Sequence, residues 1–94
     1  IIILIVIVED VITSGGQVVL SAKDLRDAGA NILCCVCVID REQGGREALA
    51  AAGIEMRALC TMTELKAAGM TESLLIEHLQ TLKVFENLQG LGLF

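Results

Sequence analysis

Residues 1–8, IIILIVIV, run without a polar interruption straight into two adjacent carboxylates, Glu9 and Asp10. An unbroken stretch of Ile and Val with no polar alternation has the pattern of a parallel strand buried on both faces, and so of a central strand. The charges mark where such a strand leaves the core. Four residues after Glu9 comes a polar, glycine-bearing turn, Thr13-Ser14-Gly15-Gly16. In open α/β sheets ligands bind just beyond the carboxyl ends of the strands, which makes this junction a candidate site. The apolar run is far too short to span a membrane and lacks the basic start and cleavage site of a signal peptide. It also has neither a lead-in nor an initiator Met, from which we expect the natural polypeptide to start earlier.

The rest of the chain repeats the pattern. Gln17–Ala28 places Val18, Ala22, Leu25 and Ala28 on one helical stripe, with Lys23, Asp24, Arg26 and Asp27 on the wet face, and Gly29 stops it. Asn31–Ile39 is a second apolar run, closed by Asp40-Arg41, so that strand, turn, helix and strand make a parallel crossover. The loop DREQGGR, residues 40–46, then falls on the same sheet edge as Glu9 and Asp10. A short Ala-rich helix over Glu47–Ala52 ends at Gly53, and Ile54–Cys60 reads as a third, more marginal strand. Thr61 and Glu64 have capping-box spacing. Thr71 can cap a last helix with Leu75, Leu79, Leu82, Phe85 and Leu88 on one stripe. We expect α/β architecture, a Rossmann-like parallel sheet with flanking helices, over residues 1–69 and a helical tail over 70–94.

Ninety-four residues make one small domain at most. A net charge of −5 and only two aromatic residues, Phe85 and Phe94, argue against nucleic acid or an anionic membrane as partner. The four cysteines, Cys34, Cys35, Cys37 and Cys60, do not have metal-site spacing. A strand sends the thiols of CCVC to opposite faces, so we expect reduced, buried core thiols and a cytoplasmic setting.

Three constellations can carry chemistry. Neighbouring strand residues point apart, so Glu9 and Asp10 suit hydrogen bonds to a polyhydroxylated ligand, or approach to a hydrated Mg²⁺, better than proton sharing. The alternative is a solvated strand end. Thr13–Gln17 can fold into an anion-binding nest at a helix start, although it matches neither GxGxxG nor a P-loop; an ordinary βα loop is its alternative. Together the two describe a cradle for a phosphate joined to a ribose. Arg41 offers a planar cationic fork for a carboxylate or imide edge, against the alternative of an ion pair with Asp40 or Glu42. His78, beside Glu77, has no nucleophile or metal partner in view and reads as a solvated or partly packed residue.

IVIVEDVITSGG resembles the ribose-phosphate-binding signature of the type I phosphoribosyltransferases. IDREQGGREALAAAGI followed by RALCTMTEL is similar to the carboxyl half of orotate phosphoribosyltransferases, including the transferase part of bifunctional UMP synthases. The resemblance covers residues 1–66 and implies an incomplete phosphoribosyltransferase fold. It implies transfer of a phosphoribosyl group from 5-phosphoribosyl 1-diphosphate to orotate, with Mg²⁺, giving orotidine 5′-phosphate and diphosphate in pyrimidine biosynthesis. Residue by residue, Glu9 and Asp10 would bind the ribose hydroxyls and steady a cation-like transition state. Glu9, Asp10, Val11, Ile12, Thr13, Ser14, Gly15, Gly16 and Gln17 would hold the phosphoribosyl diphosphate, and Thr13 and Arg41 would contact orotate, with no direct metal ligand. Family members carry further strands, a basic flexible loop and a hood before this region, and commonly dimerise. We therefore expect half a site here, an uncovered flank on Ile1–Val8, and no activity from the chain alone. Two other readings are a non-catalytic nucleotide-binding regulator on the same fold and a receiver-type signalling domain, the latter lacking a strand-end Lys.

Overall fold

The structure, a computed structural model, describes residues 2–81. Its elements alternate in chain order: β1 (Ile3–Ile12), α1 (Gly16–Asp27), β2 (Ala30–Asp40), α2 (Gly45–Ala51), β3 (Met56–Thr61), α3 (Met62–Ala67) and α4 (Glu72–Thr81). The three strands form one parallel sheet in the order β1-β2-β3. In register, Glu9 lies beside Cys37 and Ile12 beside Asp40, and Asp40 in turn beside Thr61. Every strand therefore delivers its polar exit to the same edge.

One compact unit runs to Glu64 and a second begins at Leu65. The core of the first joins Ile12 of β1, Val18 and Ala22 of α1, Cys35 and Cys37 of β2, Leu49 of α2, Met56 of β3 and Ile54 just before it. Both helices thus cover one face of the sheet. Leu49 is wholly buried, and burying a side chain of that size is worth about 1.5–3 kcal/mol. Arg26 of α1 donates to the carbonyl of Ala52 at 2.6 Å, tying α1 to the end of α2. Gly29 and Gly53, at φ 97° and 75°, let the chain leave α1 and α2 in the left-handed region, as stop signals require.

The first strand departs from the sequence expectation. Among the described residues it stands at the sheet edge, with β2 central, and it is not buried on both faces. Ile7 packs on the core, but Leu4, Val6 and Val8 on the alternate positions are 58%, 44% and 65% exposed. Leu59 of β3 is likewise 70% exposed. The apolar pattern specifies cover on two faces, and α1 and α2 supply it on one. The uncovered flank expected for this strand is present.

In the second unit, the N–H groups of Gly69 and Met70 return to the carbonyls of Lys66 and Leu65 and close α3. Thr71 caps α4 through Leu74 N–H to Thr71 Oγ1 at 3.3 Å. His78 is exposed and its Nδ1 lies 2.8 Å from the Leu74 carbonyl, so its ring bonds to its own helix. Leu82, Phe85 and Leu88 of the expected stripe lie outside the described residues. Among the described residues no helix is long and apolar enough to cross a membrane.

Candidate active site

The carboxyl end of β1 opens into a small cleft of about 90 Å³ lined by Glu9, Val11, Ile12, Thr13, Gly15, Gln17 and Val18. Gly15 takes φ 80° as the N-cap of α1, a conformation that favours glycine. No side chain caps this helix and its first turn carries no acid. The leading N–H groups and the positive end of α1 are thus left available to an anion. Helix α2 has the same glycine N-cap at Gly44, but Glu47 in its first turn opposes a second anion there. Of these two helix starts, that of α1 is the one without an acid in its first turn.

The two carboxylates diverge, as neighbouring strand residues should. Glu9 is half-buried on the cleft wall, whereas Asp10 is exposed and its Oδ1 accepts the N–H of Val11 at 2.8 Å. Neither Asp10 nor Ser14 or Gly16 lines the cleft itself. Among the described residues no group of three His, Cys, Asp or Glu side chains is gathered to hold a metal ion.

The second loop leaves β2 alongside the first. The N–H of Arg41 donates to the carbonyl of Ile12 at 3.0 Å, which sets Arg41 beside the residue preceding Thr13. Asp40 is buried at 4% exposure, and its carboxylate accepts the N–H of Glu42 at 2.8 Å and lies 3.7 Å from Nε of Arg46. Arg46 also donates to the Met56 carbonyl at 2.7 Å. Asp40 thus has an ion pair with Arg46, six residues on, which no local spacing rule pointed to. A wider cleft of about 370 Å³ lies against this loop, lined by Asp40, Glu42, Gly44, Arg46, Glu47 and Thr61. Glu42 adopts φ 61°, and its Oε1 accepts from both N–H and Oγ1 of Thr63 at 2.6 Å. The sequence carried no signal for this clasp. The capping box it did show is formed, with Glu64 Oε1 3.1 Å from the Thr61 N and Thr61 Oγ1 3.2 Å from the Glu64 N.

The four thiols are free, Cys35 and Cys37 buried and Cys34 and Cys60 half-buried. Burial, with smaller contributions from Cys37, Glu9 and Cys34, pushes Cys35 up to about 11. Burial and then the charge of Asp40 push Cys37 upward as well. Cys35 and Cys37 are therefore packing groups, shifted away from the depressed pKa that a reactive thiolate needs.

The parallel sheet, its helices and the two polar loops at its carboxyl edge match part of the phosphoribosyltransferase fold. The crystal structure of orotate phosphoribosyltransferase from Aeropyrum pernix matches it with a TM-score of 0.68 and 28% identity, over 73% of this chain and 42% of that one. The Mycobacterium tuberculosis H37Rv enzyme in complex with 5-phospho-alpha-D-ribosyl 1-diphosphate matches with a TM-score of 0.62 and 27% identity, over 66% of this chain and 37% of that one. No family model matches the chain.

In sequence the similarity is to orotate phosphoribosyltransferases in particular. The Halobacterium salinarum enzyme is 49% identical over 61 residues, 65% of this chain and 35% of the relative. The Pyrococcus horikoshii enzyme is 41% identical over 69 residues, 72% of this chain and 37% of the relative. The chain thus spans about a third of the curated relatives it matches. These likenesses displace the receiver-type reading.

Proposed function

We propose that the chain supplies the ribose-phosphate half of an orotate phosphoribosyltransferase site, together with part of the orotate contact. The observation that carries this reading is the pairing of the loop after β1 with the loop after β2 at one sheet edge, through Arg41 N–H and the Ile12 carbonyl. In the reaction, orotate displaces diphosphate from 5-phosphoribosyl 1-diphosphate and orotidine 5′-phosphate results. The 5′-phosphate sits on the amides of Thr13–Gln17 at the start of α1. Glu9 takes ribose hydroxyls from the cleft wall, with Asp10 beside it. Arg41 and Thr13 meet the orotate carboxylate and ring edge. Positive charge developing at the ribosyl C1′ is met by fixed carboxylates rather than by a nucleophile, so the work is positioning and electrostatics.

Mg²⁺, when bound with the substrate, would supply positive charge against the diphosphate. Glu9 and Asp10 diverge, so they would meet such an ion through its hydration shell rather than as a paired chelate. The four free thiols, two of them buried, accord with a cytoplasmic enzyme. A homodimer in the complete enzyme would place further residues around the cleft.

Titration of the isotope-labelled 94-residue chain with ribose 5-phosphate tests the reading. Saturable shifts at the amides of Thr13–Gln17 support it, and shifts spread evenly over the surface refute it. The chain alone should form no orotidine 5′-phosphate, and robust turnover would contradict the half-site.

A further inference from the structure

The Arg41 backbone is held from both sides. Its own N–H is bound by the Ile12 carbonyl at 3.0 Å, and the N–H of the next residue, Glu42, is bound by the buried Asp40 carboxylate at 2.8 Å. Glu42 then takes φ 61°, a left-handed conformation that costs a residue with a long side chain some stability. Something must hold it there. Its Oε1 accepts from both N–H and Oγ1 of Thr63, each at 2.6 Å. Those two bonds satisfy an orphan donor in the first turn of α3 and join loop 40–44 to the segment after β3. A glycine would adopt this φ without strain, yet it could not make the clasp.

We propose that Glu42 is a positioning residue for Arg41. Its carboxylate locks the loop onto Thr63, and so sets where the Arg41 guanidinium stands relative to Thr13 at the end of β1. Glu42 itself touches no substrate in this scheme. The inference rests on the orotate reading above and assigns a role in base recognition to a residue outside both ligand-contact groups. It also separates two functions within one loop: Asp40 and Arg46 anchor the loop to the core, and Glu42 aims it.

The test uses the full chain with two probes, orotate and ribose 5-phosphate, and the variants Glu42→Gly and Glu42→Gln. Glu42→Gly accepts φ 61° and deletes the clasp, so it should keep the fold while weakening orotate binding about tenfold, the scale of a lost positioning contact. Its ribose 5-phosphate affinity should stay within about twofold of wild type, since the α1 cradle does not depend on Thr63. Glu42→Gln keeps an acceptor oxygen for Thr63 and should restore most of the orotate affinity. Faster exchange of the Thr63 amide in Glu42→Gly reports loss of the clasp directly. Unchanged orotate affinity in Glu42→Gly despite that faster exchange overturns the inference alone. Failure of the wild-type chain to bind either probe overturns the orotate reading and the inference with it.

Discussion

The N–H of Arg41 donates to the carbonyl of Ile12 at 3.0 Å, so the charged loop and the glycine loop leave the sheet in contact. Gly45 extends that contact. A Cβ placed on it would stand 2.6 Å from Cγ2 of Ile12 and 2.7 Å from the Thr13 carbonyl oxygen. A Cβ on Gly15 would in turn meet Leu49 at 2.6 Å and the Gly45 carbonyl at 3.2 Å. The two loops fit only because both positions lack side chains. A change in the second loop is therefore felt in the first.

Gly45→Ala should destabilise the chain by about 1–3 kcal/mol, the usual cost of overpacking, because one of the atoms in its way is backbone. Ile12→Ala in the same background should recover little, since the Thr13 oxygen stays where it is. Urea unfolding of the single and double variants measures both. Full recovery in the double variant would show that the Ile12 side chain is the real obstacle.

Gly16→Ala separates folding from binding. The nearest atom to a Cβ there is Ser14 Oγ at 3.9 Å, and Gly16 has no positive φ. Alanine also favours the helix over glycine by up to about 1 kcal/mol. Stability should be unchanged or raised. If the start of α1 cradles a phosphate, however, the methyl group narrows the approach, and ribose 5-phosphate affinity should fall by about fivefold or more. Calorimetric titration beside a melting curve decides it, and intact affinity would remove the phosphate from this turn.

Much of this arrangement was legible from residue patterns. Continuous apolar runs ending in charge located β1 and β2. Glycine stops at Gly29 and Gly53, together with the capping box at Thr61, located the helix ends. Parallel pairing then obliged Glu9 and Arg41 to share an edge. What sequence patterns could not supply was any relation set by three-dimensional packing. The Asp40–Arg46 pair depends on how α2 folds back, and the Glu42–Thr63 clasp spans 21 residues through an uncommon backbone conformation. The exposed face of β1 differs from the two-sided burial its pattern describes for another reason. Its apolar pattern records the burial it needs, not the cover that the described residues provide.

Arg46→Met tests the loop anchor. Arg46 is half-exposed, but Asp40 is only 6% exposed in its side chain, so Arg46→Met removes a cationic partner from a buried carboxylate that keeps the Glu42 N–H. The Met56 carbonyl also loses its donor. We expect a loss of about 1–3 kcal/mol in urea unfolding, as for other unsatisfied buried polar groups. Asp40→Asn combined with Arg46→Met should be milder than the sum of the single changes, because the charge that needed neutralising is gone. Strict additivity would show that the two side chains do not interact.

The buried thiols make stability depend on alkaline pH. Cys35 is raised from 9.0 to about 11 in the folded chain, chiefly by burial, so folding favours its protonated form. The benefit is fully present below the unfolded pKa, near pH 9, where both states hold the proton. Above it the unfolded thiol ionises first, and the benefit is lost as pH climbs toward the folded value of about 11. Unfolding midpoints in urea should therefore drop steadily between about pH 9 and pH 11. Cys35→Ala opens a small cavity and lowers stability at every pH, so the diagnostic quantity is the slope. That slope should flatten in Cys35→Ala and flatten further when Cys37, also shifted upward, is replaced as well. A wild-type slope unchanged by both substitutions would assign the alkaline loss to other groups.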